Sequence, residues 1–188
     1  MYDSLPTESM IRKLWVGEAA LYCDHLLRLD PDSRRNRFGG AVSEDYVRAY
    51  VERSFPRAVI HGFFIEGVLR GAAELQPLLS PHDAEAGISI EKPWQSHGVG
   101  SELLARTLLS ARNRSIKFLR MACLADNRRM QDLARKFNAE LSFDFGGVIG
   151  EVTPARATAL SMMREMLADS HGLTTAMLDV QSRLLRPA

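Results

Sequence analysis

The chain has 188 residues, of which 46% are hydrophobic and 25% are charged, and its formal net charge is +1. These values predict one globular domain with a substantial core, and they argue against a broad basic surface for nucleic acid. Cys23 and Cys123 lack the spacing of a metal site or a disulfide framework, so we expect no metal and a reducing, cytoplasmic location. No signal peptide or membrane-spanning run is recognisable, so we expect no membrane partner.

The N-terminal part of the chain predicts an edge strand followed by helical segments. Residues 10–16 are expected to form the strand, and residues 18–29 an amphipathic helix. The Asp-Pro step at residues 30–31 indicates a turn or the start of a new helix. The basic run at residues 34–37 is interpreted as a solvated surface. The alternative is that it attracts an acidic substrate or the phosphates of a ligand.

A third helix and a hairpin are predicted next. Residues 43–54 have a serine N-cap and acidic residues in the first turn, which favours a helix. Tyr46 and Tyr50 lie one turn apart on it, so they belong either to the core or to a substrate pocket. Residues 58–65 and 68–75 predict two strands joined by a tight Glu-Gly turn.

The central stretch of the chain predicts a strand, a glycine-bearing loop and a helix. Residues 85–91 alternate between apolar and polar side chains, and Pro93 should end the strand. From Ser101 to about Asn113, apolar residues recur at helical spacing. The first turn of a helix has N–H groups without intrahelical partners, and glycine lets a large anion approach the backbone. The loop therefore predicts a phosphate or pyrophosphate site.

The remaining elements complete an alternating pattern. Residues 118–124 predict a strand, and residues 127–137 a helix. Residues 141–152 predict a last strand region with a turn or bulge at its Gly-Gly pair. Residues 153–188 predict two helices, over 154–167 and 174–185, with Gly172 between them.

The glycine loop matches the pattern Gln/Arg-x-x-Gly-x-Gly/Ala, as Gln95-Ser96-His97-Gly98-Val99-Gly100. This resembles the coenzyme A pyrophosphate loop of the GNAT acetyltransferase superfamily. The loop lies between a strand and a helix, and the helix led by Asn127 resembles the one beyond the family's cofactor. The resemblance covers roughly residues 10–150 by order of elements.

The resemblance implies an α+β fold, in which helices flank a mixed, mostly antiparallel central sheet. We expect residues 1–152 to form this GNAT-like domain. We expect residues 153–188 to form a helical extension, which either packs back on the domain or makes a homodimer contact.

The resemblance also implies a binding site for acetyl-CoA. The backbone of Ile88, Ser89 and Ile90 would bind the pantetheine arm, and Asn127 would contact the coenzyme from the other side. The pyrophosphate would bind the backbone amides of Gln95, Ser96, His97, Gly98, Val99, Gly100 and Ser101.

The reaction implied is direct attack of a primary amine on acetyl-CoA in a ternary complex, the amine being a small molecule or a protein lysine. The amine must lose a proton first. The favoured base is Glu85, at the start of the central strand; it is otherwise a solvent-facing strand carboxylate. Glu74 is the alternative base. His82 and His97 are interpreted as surface residues.

The general acid is where the chain departs from the resemblance. Ala134 stands where many family members have a tyrosine, so either another group protonates the thiolate or none is needed. Cys123 is interpreted as a core residue rather than a nucleophile. Two rival hypotheses are a non-catalytic acetyl-CoA or CoA sensor and an interaction protein that acts through its C-terminal helices.

Overall fold

The computed structural model describes residues 9–144 and 146–184. Within them the chain forms one seven-stranded sheet and six α-helices. The strands are β1 Ser9–Lys13, β2 Val59–Ile65, β3 Val68–Pro77, β4 Asp83–Ile90, β5 Phe118–Leu124, β6 Glu140–Asp144 and β7 Gly147–Val152. The helices are α1 Ala19–Arg28, α2 Pro31–Phe38, α3 Glu44–Ser54, α4 Val99–Asn113, α5 Arg128–Lys136 and α6 Ala159–Leu184.

The sheet has the order β1-β2-β3-β4-β5-β7-β6. Every neighbouring pair is antiparallel except β4 and β5, which are parallel. A parallel pair needs a crossover connection, and α4 supplies it. The predicted mixed, mostly antiparallel sheet with flanking helices is therefore confirmed.

Helices cover both faces of the sheet. Phe64 of β2 is buried in one cluster with Tyr22 of α1 and Val47 of α3. The preceding residue, Phe63, is buried in another cluster with Leu103 of α4. Successive side chains of a strand point to opposite faces, so this pair separates the two layers. Helices α1 and α3 therefore pack on one face of the sheet, and α4 packs on the other.

The ends of several helices follow from their capping residues. The Asp30 side chain accepts from the Ser33 N–H, which starts a full helix after the Asp-Pro step. The Ser43 side chain accepts from the Tyr46 N–H, as its N-cap position predicts. Asn127 caps α5 by accepting from the Met130 N–H over 3.2 Å.

Two predicted boundaries are wrong, one by three residues and the other by two. The first strand ends at Lys13 rather than at residue 16, and Val16 is 92% exposed in a short 3-10 turn. The helix after the glycine loop starts at Val99 rather than at Ser101. The reason is that Gly98, with φ of 82°, takes the N-cap position directly.

The two predicted C-terminal helices are one helix, α6, so the predicted break at Gly172 is wrong. A Cβ on Gly172 would lie 3.1 Å from Cβ of Arg12, so the glycine lets α6 pack closely on β1. The helix also begins later than predicted, because Thr158 and Ser161 cap each other's N–H groups at its start. Leu185, the predicted end of the second helix, lies outside the described residues.

Candidate functional site

The parallel strands β4 and β5 separate part-way along their length. They pair only from Asp83 to Glu85 on β4, where Glu85 is opposite Arg120. Beyond that point β4 stays paired with β3 up to Ile90, and β5 stays paired with β7 up to Leu124. The two strands therefore face each other with unpaired backbone edges, and a cavity of about 360 Å³ opens at this divergence.

The cavity extends from the end of the strand pairing to the start of α4. Residues of β4, α2, the glycine loop, α4, β5 and α5 line it: Asp30, Asp32, Ser33, Asn36, Arg37, Glu85, Ala86, Gly87, Ile88, Ser89, Ile90, Lys92, Gln95, Gly100, Ala122, Asn127, Arg129, Met130 and Leu133. Many of the residues predicted to bind the coenzyme are thus brought to one cavity, which has Glu85 at its far end.

The N-terminus of α4 provides hydrogen-bond donors for an anion. Among the described residues, no acceptor takes the backbone N–H groups of residues 96–100. A Cβ on Gly100 would lie 3.4 Å from Ile90 and 3.5 Å from Leu133, so this glycine forms part of the cavity wall. Free N–H groups at the positive end of a helix dipole fit a pyrophosphate.

Gln95 and Asn127 hold the two sides of the cavity mouth. The Gln95 amide donates to the Ser33 hydroxyl over 3.0 Å and to the Ile90 carbonyl over 2.8 Å. Its carbonyl oxygen accepts from Arg129. The Asn127 carbonyl oxygen caps α5, and its amide donates to no described residue, so that donor is available to a ligand.

The orientation of β4 distinguishes the three residues predicted to bind pantetheine. The Glu91 N–H donates to the Arg70 carbonyl in β3, while the Ile90 carbonyl accepts from Gln95 on the other side. Because backbone groups of successive residues alternate in direction, Ile88 and Ile90 face the gap and Ser89 faces β3. This geometry favours Ile88 and Ile90 for backbone contacts with a ligand.

The Ser89 side chain belongs to a buried polar network instead. Its hydroxyl lies 2.9 Å from Nε2 of His25, whose Nδ1 is 3.4 Å from Glu91. Burial lowers the pKa of His25, and the hydrogen bond that its Nδ1 donates to Glu91 opposes this. Burial works against the charge of Glu91, but bonds from His25, Arg70 and Arg28 lower its pKa overall. The network ties α1 to the end of β4.

The two candidate bases have different surroundings. Glu85 is exposed at the end of the cavity and makes no ion pair within the described residues. Glu74 is only 1% exposed and accepts hydrogen bonds from Tyr22, Tyr50 and Arg37. A carboxylate with these three donors, and absent from the cavity lining, is poorly placed to take a proton from a substrate.

Arg37 lines the cavity, which the sequence offered only as the alternative for the basic run at residues 34–37. Its side chain is 9% exposed and lies against Gly87, so the interpretation of residues 34–37 as solvated is wrong at this position. Burial raises the pKa of the neighbouring Tyr50 to about 12, so this phenol stays protonated and donates to Glu74. The signal in the sequence was that Phe38 is the one large apolar residue of α2, so polar contacts must also hold this helix.

The remaining candidates do not reach the cavity. Ala134 is 2% exposed, and a Cβ on Gly150 would meet it at 3.3 Å, so α5 presents Met130 and Leu133 to the cavity instead. Cys123 is buried, and burial raises the pKa of its thiol, which fits a core residue. Within residues 9–144 and 146–184, no group of three metal-binding side chains is found, and no helix is long and apolar enough to cross a bilayer.

A sequence profile described as the Acetyltransferase (GNAT) family matches residues 23–139, which is more than half of the chain. The chain belongs to the GNAT acetyltransferase family. It is accordingly an acyltransferase, and the site described above lies within the matched region. A search of curated proteins finds no match.

Solved structures of GNAT proteins have the same fold. The GNAT domain of S. lividans PAT superposes with a TM-score of 0.66 at 22% identity, covering 77% of this chain and 90% of that one. The Escherichia coli ribosomal-protein-S18-alanine N-acetyltransferase gives 0.61 at 15% identity, covering 80% and 97%. RimL, a ribosomal L7/L12 alpha-N-protein acetyltransferase in complex with coenzyme A, gives 0.58 at 16%, covering 79% and 95%. At these identities the likeness concerns the fold.

Proposed function

We propose that this GNAT protein is an acetyl-CoA-dependent N-acetyltransferase that modifies a primary amine by direct attack in a ternary complex. One observation carries the proposal: a single cavity has free helix N–H groups at one end and an exposed carboxylate, Glu85, at the other. The first suits the pyrophosphate, and the second suits a proton acceptor.

The residues of the cavity fit the coenzyme along its length. The N–H groups of residues 96–100 bind the pyrophosphate. The unpaired backbone of Ile88 and the N–H of Ile90, whose carbonyl already accepts from Gln95, bind the pantetheine arm between β4 and β5. The Asn127 amide supplies a further donor from the far side. Acetyl-CoA supplies an activated acetyl group as a thioester. Its reacting end then lies where the strands meet, near Glu85.

Glu85 accepts a proton from the acceptor ammonium, directly or through water, because a free alkylammonium with a pKa of about 10.4 has no lone pair for attack. The amine nitrogen then bonds to the thioester carbonyl carbon, and the carbon–sulfur bond breaks. Near neutral pH a thiolate is a tolerable leaving group, and solvent can protonate it. The reaction is therefore feasible even though Ala134 stands where a tyrosine would act as the general acid.

The second candidate function is a coenzyme-binding sensor without turnover. It is favoured by the missing tyrosine, since Ala134 stands at that position and the residues of α5 that line the cavity are Arg129, Met130 and Leu133. A sensor would keep the pyrophosphate site and would show no amine-dependent release of CoA.

The experiment is a steady-state assay of CoA thiol release from acetyl-CoA, with a panel of primary amines and mass spectrometry of the products. Amine-dependent release and intersecting double-reciprocal plots are expected for a ternary complex. Binding of acetyl-CoA without release for any amine would favour the sensor. Parallel plots, with acetyl retained on the protein, would contradict direct attack.

A further inference from the structure

Arg37 is fixed at the reacting end of the cavity by three side chains. Its Nη2 atom donates to Glu74 over 2.6 Å and to the hydroxyls of Tyr50 and Tyr22 over 2.8 and 3.3 Å. Its guanidinium lies over Gly87, where a Cβ would come within 2.7 Å of Cζ. Any side chain at position 87 would therefore displace it.

Within the part of the chain that the structure describes, only Nη2 of this guanidinium makes hydrogen bonds. Nε is buried without a hydrogen-bond partner, and Nη1 donates to no described residue. Arg37 also lines the cavity, with 9% of its side chain exposed. A guanidinium has five N–H donors and no acceptor. The buried Nε is out of reach of a ligand, whereas the Nη1 donors are free to bind an acceptor that enters the cavity.

One small ligand with two functional groups can reach both Arg37 and Glu85, because the Arg37 guanidinium lies over Gly87. Gly87 and Glu85 are two residues apart on β4 and share one face, which corresponds to about 7 Å along the strand. Consider a ligand whose amine and carboxylate are a few bonds apart. With one hydrogen bond of about 2.9 Å at each end, it spans a distance comparable to this spacing. Carboxylates are the groups that a planar guanidinium binds best.

We propose that Arg37 binds a carboxylate of the acceptor, so the acceptor is a small amine that carries a carboxylate, such as a free amino acid, and not an internal lysine of a protein. This inference rests on the proposed N-acetyltransferase function. Glu85 serves the amine, and Arg37 fixes the other end of the same molecule. Glu74 and the two tyrosines position the guanidinium from behind.

The test compares the proteinogenic amino acids as free acids and as their C-terminal amides, together with a lysine peptide capped at both ends. The protein used is the full chain, as wild type and as the double variant Arg37→Gln/Glu74→Gln. The double variant removes both buried charges, because a single change would leave a buried carboxylate uncompensated. Arg35→Gln is the matched control, since Arg35 also lies on α2 but makes only an exposed pair with Asp126.

The wild type and the Arg35→Gln control should prefer an acid to its amide by at least about tenfold in kcat/KM, the usual value of a hydrogen bond to a charged group. In the double variant this ratio should fall towards one, through a higher KM for the acid and little change for the amide. Equal use of acids and amides by the wild type, a ratio that persists in the double variant, or a preference for the capped peptide would overturn the inference.

A binding measurement separates this inference from the proposed function. In the presence of CoA, the N-acetylated forms of the same amino acids should raise the melting temperature of the wild type but not of the double variant. No turnover with any amine, combined with this shift, would reject the N-acetyltransferase and keep the carboxylate site. Turnover of neutral amines without the shift would reject the carboxylate site alone.

Discussion

Glu85 and Arg120 are the last paired residues of the two parallel strands at the centre of the sheet. The same pairing places the Glu85 carboxylate at the point where the gap between β4 and β5 begins. A ligand that enters the gap from α4 therefore ends beside this carboxylate. The relationship links the coenzyme site to the proposed base without requiring any motion of the sheet.

Replacement of Glu85 by Gln should lower kcat/KM at neutral pH by about 10²- to 10⁴-fold, the usual contribution of a general base. The affinity for acetyl-CoA should not change, because the pyrophosphate and pantetheine contacts are elsewhere. Steady-state kinetics and calorimetric binding measure the two quantities. Glu151→Gln is the control, since Glu151 lies on the same face of the sheet and pairs with Arg120. Equal losses in both variants would show that general electrostatics, rather than a base at Glu85, is responsible.

Replacement of Glu74 by Gln should act mainly on stability. It leaves the buried Arg37 without its counter-charge, which costs about 3–5 kcal/mol when one partner of a buried pair is removed. Urea unfolding measures the loss. The exposed Glu140, changed to Gln, should have almost no effect. A Glu74→Gln protein that is as stable as the wild type but has lost the chemical step would instead identify Glu74 as the base.

His61 should make the protein less stable in acid. Its side chain is buried, and Nε2 lies 3.0 Å from the Ser110 hydroxyl, whose hydrogen is donated to Glu165. Burial lowers the pKa of His61 to about 3, from about 6.5 in the unfolded chain. Between these values only the unfolded state binds the proton, so the free energy of unfolding falls as pH decreases through this window.

The check for His61 is the pH dependence of unfolding in the wild type and in His61→Gln. The wild type should lose up to about 1.4 kcal/mol more per pH unit than the variant between pH 6 and pH 4. Other groups titrate equally in both proteins, so the difference isolates His61. Parallel pH profiles would show that His61 is protonated in the folded state.

Gly172 should be required for the contact between α6 and β1. A larger side chain would meet Arg12, which is held by a two-bond ion pair with Glu18 and lies 4.1 Å from the Phe64 ring centre. Gly172→Leu should therefore lower Tm by roughly 2–12 °C, as overpacking of about 1–3 kcal/mol would. Thr174→Leu, at an exposed position of the same helix, is the control. An unchanged Tm for Gly172→Leu would mean that α6 does not depend on this contact in solution.

Local patterns predicted most elements and the glycine loop, because alternation, capping residues and proline act within a few residues of the chain. Two features depended on distant contacts and could not be predicted in this way. The break expected at Gly172 is absent because the glycine accommodates Arg12, 160 positions earlier in the chain. Arg37 can be buried because Glu74 and two tyrosines on other elements accept hydrogen bonds from its guanidinium. In the sequence, by contrast, its position in a basic run indicates a solvent-exposed side chain.

The measurement that tests the central claim most directly is a thermal melt with and without acetyl-CoA, on the wild type and on Gly100→Glu. A Cβ at position 100 meets only ordinary contacts, and glutamate is favourable in the first turn of a helix, so the variant should fold. Its side chain would nonetheless enter the cavity and repel a pyrophosphate. Gly40→Glu, at a glycine with open space around it, is the control.

At a hundredfold excess over its dissociation constant, acetyl-CoA should stabilise the wild type and Gly40→Glu by about 2.7 kcal/mol, or roughly 5–10 °C in Tm. Gly100→Glu should show no shift. An absent shift in the wild type, or an equal shift in Gly100→Glu, would contradict a coenzyme site in the gap between β4 and β5.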